Sequence, residues 1–498
     1  MLSLVQSDRY PPAPRRFNMA AHVLGHADRL GDKTALCIMD AAGNGERFDY
    51  RTLKQAILGT ATGLLQHVRP DEKIILQLGN TPEFPIAFLG AIAAGIVPVS
   101  LSSALTEIEY REVVDTIRPA LALRSINKAD MALLRAFRDL PAADYAMGDP
   151  ARPAFIIYTS GTGGRPTPVV HAHRAIWARQ MMWDGWYGLR EDDRMLHAGA
   201  FNWTYTLGTG LLDPWATGAT ALIPAQDITP AQLPTLMQAH KATIFAAAPG
   251  IYRRLLRAAI PALPYLRHGL SAGEKMAQPV RDAWHEATGK PVYEAFGMSE
   301  CSTFISSSPA NQAPDHTSGF VQQGRTVALI GPDGPVPRGT IGTIAVHKDD
   351  PGLMLGYLDR PDDTAARFQG DWFLTGDLAT MDENGAITYA GRADDMMNAG
   401  GHRVSPIEVE EALTAHPLVT EAAACAVQLR TGVHVIAGFY VATDVIEEEE
   451  LRDFAAARLA TYKMPRLLIA RDRLPRGANN KLLRRVLRDE WETTYGQA

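Results

Sequence analysis

The sequence predicts an α/β fold: a large N-terminal domain of parallel-sheet α/β subdomains, with a small β-rich subdomain, followed by a C-terminal α+β domain. Three observations predict it. Apolar strand-like runs alternate with helical patterns between about residues 73 and 297. From about 320 the pattern shifts to short strands and turns, and after "GRADDMM" (391–397) it changes again to amphipathic helices with a strand pair.

Taken in order, "KIILQLGN" (73–80) is a short apolar strand followed by a turn signal. "PEFPIAFLGAIAAG" (82–95) reads as a helix with glycine at its end, and "IVPVSLS" (96–102) as the next strand. The rhythm repeats through "TALIPA" (220–225), "ATIFAAAP" (242–249) and "GKPVYEAFG" (289–297), which implies parallel strands covered by helices. "VALIGPDGPVPRG" (327–339), "GTIAVH" (342–347) and "AITYAG" (386–391) then read as a small β-rich unit. "SPIEVEEALTAHPLV" (405–419) has an N-cap serine, proline at the first helical position and apolar spacing of three to four. "EEEELRDFAAARLATY" (447–462) is a further helix. The expected division is 1–392, with the β-rich part at about 320–390, and 393–498.

Composition narrows the function. A chain of 498 residues is too long for one core. Apolar content of 46% and charged content of 21% are those of an ordinary globular protein. A net charge of −6 argues against nucleic acid as the main partner. Cys37, Cys301 and Cys425 match no metal spacing and fit a reducing, cytoplasmic compartment. Early charge and prolines in "MLSLVQSDRYPPAPRRF" do not make a signal peptide. The most apolar run, 84–101, is broken by Pro85, Gly90, Gly95 and Pro98, so it reads as a buried helix entering a strand and not as a membrane span. A homodimer is compatible with all of this.

"FIIYTSGTGGRPTPVVH" (155–171) is the first stretch with chemistry in it. It lies between two strand patterns, whereas a Walker A loop runs directly into a helix. Gly161, Gly163 and Gly164 can take positive φ and turn successive N–H groups into one concavity, and Thr159, Ser160 and Thr162 add hydroxyl donors. Such a nest suits the β- and γ-phosphates of ATP. Taken alone, the stretch fits a flexible hairpin turn equally well.

The stretch "YTSGTGGRPTPVVHAH" (158–173) resembles the phosphate loop of the adenylate-forming superfamily: acyl-CoA synthetases, peptide-synthetase adenylation domains and luciferases. "SAGEKM" (271–276), "YEAFGMSE" (293–300), "FLTGD" (373–377), "GRADDMMNAGGHRVSPIEVE" (391–410) and "LPRGANNKLLRR" (474–485) match that family in the same order, and "MLGYLDRP" (354–361) also fits. "YTLGTG" (205–210) followed by "GATALI" (218–223) looks most like benzoate-type CoA ligases.

The resemblance implies an ATP-dependent ligase that converts a small carboxylic acid to its acyl-adenylate and then to a coenzyme A thioester. Phe296 would stack on adenine, with Gly297 beside it and the backbone of Gly273 close to the base. Ser299 would contact the α-phosphate and Glu300 would hold Mg²⁺. Asp377 and Arg392 would bind the ribose hydroxyls. Lys481 would bridge the carboxylate substrate and the α-phosphate, offsetting the repulsion between two anions. Gly400 and Gly401 would line the pantetheine tunnel, and Asp394 matches the hinge about which the C-terminal domain rotates between half-reactions, making that domain mobile. Phe201, Trp203, Tyr205, Phe245 and Ala248 would form the acyl pocket, suited to an aromatic or compact apolar acid, although any single aromatic among them also reads as core. His197, His171 and His173 could line the site, but read better as buried structural histidines.

Two departures from the family pattern stand out. Gly163, Thr167 and Pro168 occupy positions where the family has threonine, lysine and glycine, and Arg165 is the candidate replacement for the lysine. Asn480 replaces the glycine that usually precedes Lys481. An enzyme loading a carrier protein, and a binder of nucleotide or acyl-AMP without turnover, share many of these motifs. Intact Glu300, Asp377, Arg392 and Lys481 argue against the second.

Overall fold

The computed structural model describes residues 1–8, 10–159, 166–399, 402–430, 433–477 and 482–495. Ser160, Gly161, Thr162, Gly163, Gly164 and Arg165 of the glycine-rich stretch, and Gly400, Gly401 and Lys481, lie outside the described residues. The chain divides into a larger unit, Val5–Thr326 with Val346–Phe373, and a smaller one, Met1–Leu4, Val327–Ala345 and Leu374–Ala498.

The larger unit is built on two mainly parallel sheets. In the first, Thr34–Met39, Thr220–Pro224, Arg194–His197, Ile244–Ala247, His268–Ala272 and Val292–Met298 are parallel neighbours in that order. Antiparallel strands Gly45–Asp49 and Ser302–Ser306 flank them. The central strands are buried along their whole length, as expected of parallel strands covered on both faces. In the second sheet, Leu121–Arg124, Lys73–Gln77, Val97–Ser100 and Pro153–Thr159 are parallel neighbours. Thr167–Ala172 and Gly356–Tyr357 then extend it antiparallel.

The helices follow local chemistry. Asp49 caps the helix Tyr50–Leu65 by accepting from the Thr52 N–H. Thr106 and Glu109 close a reciprocal capping box on Glu107–Ile117. The apolar run expected to be a buried helix is one: Glu83–Ala93 is buried at every position, and Gly95, at φ +78°, turns the chain into the next strand. Among the described residues no helix is long and apolar enough to cross a membrane. Phe84, Phe88 and Phe201 stack in the main core at centroid separations of 5.9 and 5.1 Å. The parallel strands of the first sheet end at His197, Ala247, Ala272 and Met298, so the segments that follow share its carboxyl edge, where open α/β sheets bind ligands.

The strand Trp372–Met381, which belongs to the smaller unit from Leu374 on, pairs antiparallel with Ile387–Arg392 and places Asp377 opposite Arg392. Farther along, Val419–Arg430 and Val433–Ala442 pair antiparallel, and Leu467–Ala470 joins parallel to the second. Helices Pro406–Thr414, Glu448–Ala456 and Arg484–Tyr495 accompany them. Ser405 caps the first as its sequence predicts, accepting from the Ile407 N–H at 3.2 Å with Pro406 at the first helical position. Val409, Leu413, Ile436 and Leu451 form the local core.

Candidate active site

The glycine-rich stretch joins two antiparallel strands, with Thr159 opposite Thr167 and Tyr158 opposite Pro168. The expected strand–loop–strand arrangement therefore holds at both described ends. The Arg360 guanidinium donates to Thr167 Oγ1 at 3.5 Å, so a cation stands beside the position where the family carries lysine.

The turn after the strand Val292–Met298 carries Ser299 and Glu300 and is held from three directions. His171, on Thr167–Ala172, donates from Nε2 to the Ser299 carbonyl at 2.8 Å, which fixes its tautomer. Its ring is buried and stacks on Phe155 at 4.8 Å, and burial pushes its imidazole down to about 4, so it is neutral at pH 7. Tyr357 donates its hydroxyl to Glu300 Oε1 at 2.8 Å, and the Met354 N–H donates to the Glu300 carbonyl at 2.7 Å. Arg179 donates to the Ser302 hydroxyl, where the backbone takes φ +64°. That guanidinium is buried and anchored on Asp213, with Tyr187 and Thr209 completing the network. Ser302 is thus a non-glycine residue held in the left-handed region by a buried cation.

Phe296 is half-buried, its ring edge-on to Phe304 at 5.6 Å. A Cβ on Gly297 would stand 2.3 Å from the Ser302 carbonyl oxygen, so glycine lets the two strands close over the turn. Gly273 takes φ +99°, and a Cβ there would lie 2.7 Å from the Trp203 indole. Glu294, on the strand that carries Phe296, accepts from the Met276 N–H and from Arg281, tying the 273–276 segment to that strand. The expected adenine segment and one wall of the expected acyl pocket therefore touch.

The expected pocket residues are distributed among different packing clusters. Trp203 and Tyr205 meet edge-to-face at 5.3 Å. Phe201 sits in the main core against Phe84. Phe245 lies in another cluster, stacked on Trp284 and edge-on to Tyr252. Ala248 is buried at the start of the helix Pro249–Leu255. His173 accepts from the Met19 N–H, a structural bond as the sequence suggests.

In the smaller unit, Asp377 accepts from the Tyr389 hydroxyl at 2.8 Å and from Arg392 at 3.2 Å. Burial and the Asp377 carboxylate hold the Tyr389 phenol well above its ordinary value, so it remains a donor. The same Arg392 donates to Asp394 at 3.1 Å, linking the expected ribose carboxylate to the expected hinge. Gly376 takes φ +80°, and a Cβ there would lie 3.0 Å from the Arg392 guanidinium. Next to the hinge, Asp395 accepts from Arg484, which also forks onto Glu410 with two bonds of 2.7 Å.

Sequence reading assigned no role to Tyr357, Tyr389, Arg179 or Arg360. Tyr357 does lie inside the quoted "MLGYLDRP" stretch, so a signal existed. Arg179 has none, because Ser302 and Asp213 are distant in sequence. Among the described residues no group of three or more His, Cys, Asp or Glu side chains could hold a metal ion. Glu300, buried and with Oε1 fixed by Tyr357, fits a cation that reaches the protein through one carboxylate and is otherwise carried by phosphates.

Residues 25–358 match the AMP-binding enzyme family, and residues 408–481 match the AMP-binding enzyme C-terminal domain. A benzoate–CoA ligase of Thauera aromatica is 30% identical over 98% of this chain and 99% of its own. A 3-hydroxybenzoate–CoA ligase of Aromatoleum sp. is 28% identical over 95% and 96%. Among solved structures, an anthranilate CoA ligase in complex with anthranoyl-AMP superposes with TM-score 0.87 at 26% identity, covering 96% of this chain and 98% of that one. A benzoate CoA ligase from Burkholderia xenovorans gives TM-score 0.85 at 28% identity, covering 95% and 100%. With its motifs in order and both family models matched, the chain belongs to the AMP-binding enzymes of the adenylate-forming superfamily.

Proposed function

We propose that the chain is an ATP-dependent acid–thiol ligase that activates an aromatic or compact apolar carboxylic acid as its acyl-adenylate and passes the acyl group to coenzyme A. The observation that carries this reading is the Ser299–Glu300 turn, fastened to the glycine-rich hairpin by His171 and to the Gly356–Tyr357 strand by Tyr357. It sits in a chain that aligns end to end with benzoate- and hydroxybenzoate-CoA ligases.

In this reading Phe296 carries adenine, Gly273 and Gly297 allow its close approach, and Asp377 and Arg392 receive the ribose hydroxyls. Thr159 and the residues through Gly164 hold the outer phosphates, and Ser299 contacts the α-phosphate. Glu300 holds the Mg²⁺ that arrives with ATP, which neutralises phosphate charge. A carboxylate oxygen of the acid attacks the α-phosphorus and the bond to pyrophosphate breaks, with Lys481 offsetting the charge. The coenzyme A thiolate then attacks the acyl carbon and the bond to AMP breaks. The site supplies position and charge, and no covalent enzyme intermediate is needed. Residues 1–392 form the AMP-binding domain. Residues 393–498 form a mobile domain that turns about Asp394, bringing first Lys481 and then Gly400 and Gly401 to the site.

Pyrophosphate release followed by thioester formation, across a panel from benzoates to medium-chain acids, tests the activity. Lys481→Ala is expected to abolish adenylation and to retain thioester formation from a supplied acyl-adenylate; equal loss of both steps would sink the alternation. A cytoplasmic location, in keeping with three free and buried cysteines, and a homodimeric state complete the proposal. Sedimentation at working concentration checks the second.

A further inference from the structure

We propose that Arg179 is a positioning residue for adenylation: anchored on Asp213, its guanidinium fixes Ser302 and, through it, the hairpin turn that carries Ser299 and Glu300. The proposal rests on the ligase reading above and adds a residue to the machinery of its first half-reaction.

The turn is short and tightly closed. Met298 and Ser302 are register partners on the antiparallel strands Val292–Met298 and Ser302–Ser306, so Ser299, Glu300 and Cys301 alone make the loop between them. The Cys301 N–H donates to the Met298 carbonyl at 3.3 Å, and Ser302 follows at φ +64°. Three-residue hairpin loops commonly end such a turn with a residue in the left-handed region, and glycine is the residue that adopts it without strain. Here a side chain stands at that position, and its hydroxyl accepts from Arg179 Nη1. A residue kept there against its preference is over-determined by its surroundings, and such residues cluster at functional sites.

The rest of the guanidinium is held so that Nη1 points at Ser302. Nε donates to both Asp213 oxygens at 3.0 Å. Nη2 donates to Asp213 at 2.6 Å, to the Tyr187 hydroxyl at 3.0 Å and to the Thr209 hydroxyl at 3.3 Å. The Tyr187 hydroxyl in turn donates to Asp213 at 2.7 Å. Arg179 and Asp213 are both buried. A Cβ on Gly208 would stand 2.2 Å from Arg179 Cζ, so glycine in the π-helical stretch Thr206–Leu212 leaves the space that the guanidinium fills. Asp213 opens the helix that continues that stretch. The anchor is therefore part of the segment that follows Trp203 and Tyr205, and its free end reaches the turn after the strand Val292–Met298.

Stability alone does not account for this arrangement. A buried ion pair is seldom more stable than apolar side chains of the same volume. Serine in the left-handed region is less stable than glycine would be. Both penalties meet at one contact, two residues from Glu300. Tyr357 fixes the end of the Glu300 side chain, and the Arg179–Ser302 bond fixes the backbone that carries it. A cation that reaches the protein through one carboxylate needs that carboxylate in place before the phosphates arrive. Small misplacements of such a group cost large factors in rate. The outer phosphates and their cation act in adenylation and have left with pyrophosphate before the thiol attacks, so a loosened turn penalises the first half-reaction more than the second.

The test uses the full-length protein and separates the two half-reactions. Ser302→Ala removes the acceptor and keeps the Cβ. Ser302→Gly removes the acceptor and the backbone strain together, so it is expected to fold at least as stably as the unaltered protein. At saturating acid, both are expected to lower kcat/KM for Mg·ATP in pyrophosphate release by about 10- to 100-fold, the effect of losing one hydrogen bond to a charged group. Thioester formation from a supplied acyl-adenylate is expected to change little. Hydrogen exchange over residues 298–306, measured without nucleotide or metal, is expected to be faster in Ser302→Ala. Gly208→Ala, whose Cβ takes the space of the guanidinium, is expected to give the same adenylation defect and no further loss when added to Ser302→Ala. Should Gly208→Ala fail to fold, the two Ser302 variants decide alone. An unaltered kcat/KM for Mg·ATP in both Ser302 variants would overturn the proposal. So would equal loss in the two half-reactions, which a merely structural role gives, or additive losses in the pair. Absence of pyrophosphate release by the unaltered protein with every acid would instead defeat the ligase reading.

Discussion

Tyr357 touches Glu300 through its hydroxyl. The phenol donates to Oε1 at 2.8 Å from a strand pinned to the glycine-rich hairpin, with Gly356 opposite Val170 and Tyr357 opposite Val169. Phenylalanine keeps the ring and its packing and loses only the donor. A hydrogen bond to a charged acceptor contributes about 1.5–3 kcal/mol, and the carboxylate also gains freedom to leave the position a phosphate-borne cation needs. Tyr357→Phe is therefore expected to lower kcat/KM for Mg·ATP by roughly 10- to 100-fold, with thermal stability nearly unchanged. Rate measurements at varied Mg²⁺ check it: the defect should shrink as Mg²⁺ rises if Tyr357 works by orienting Glu300. A defect independent of Mg²⁺ would separate the tyrosine from the metal.

At the scale of elements, the segment after each parallel strand is where sequence patterns and tertiary contacts meet. Gly273 follows the strand His268–Ala272 at φ +99° with the Trp203 indole 2.7 Å from where a Cβ would stand. Gly273→Ala meets both a disfavoured backbone and a wall that must move. It is expected to cost about 1–2 kcal/mol of strain and to raise KM for ATP and for the acid together. Initial-rate kinetics with each substrate varied would show this; a rise for ATP alone would uncouple Trp203 from the acyl pocket. The order of strands and helices through 73–102 was legible from apolar runs and glycine stops, and the helix at Pro406 from its serine–proline start. The π-helical stretch Thr206–Leu212 was not, because its wide turn depends on Gly208 and Gly210 passing close to Arg179 and His197, residues outside any local window. The candidate site divides the same way. Short motifs name Ser299, Glu300, Asp377 and Arg392, whereas the partners that orient them, His171, Tyr357 and Tyr389, become visible only when strands are paired. Phe201 and Phe245, expected in the acyl pocket, stack on Phe84 and Trp284, contacts that no local sequence window shows.

Across the whole molecule, the larger unit has buried an unusual set of titratable groups in their neutral form. Burial pushes His22, His171 and His268 down to about 4, and His173 and His197 to about 3, from an ordinary value of 6.5. All five lie within Val5–Thr326. Between pH 6.5 and about 4 the unfolded chain takes up protons at these positions and the folded chain does not, so the unfolded state binds more protons and stability falls as pH falls. Each histidine contributes a slope of roughly 1.4 kcal/mol per pH unit in that window. Carboxylates such as Glu72 and Glu109, held low by backbone N–H donors at Arg69 and Thr106, lose their contribution at still lower pH, in the same direction. The expected outcome is a thermal transition of the larger unit that is nearly level from pH 8 to 7 and drops steeply between pH 6.5 and 4.5, accompanied by net proton uptake on unfolding in calorimetry across buffers of different ionisation enthalpy. A His173→Asn variant, which removes one titrating group while keeping an acceptor for the Met19 N–H, should reduce the uptake near pH 5 by close to one proton. A transition temperature level down to pH 4.5, with no proton uptake, would mean that these imidazoles are charged in the folded state and that His171 does not hold the Ser299 carbonyl as a neutral donor.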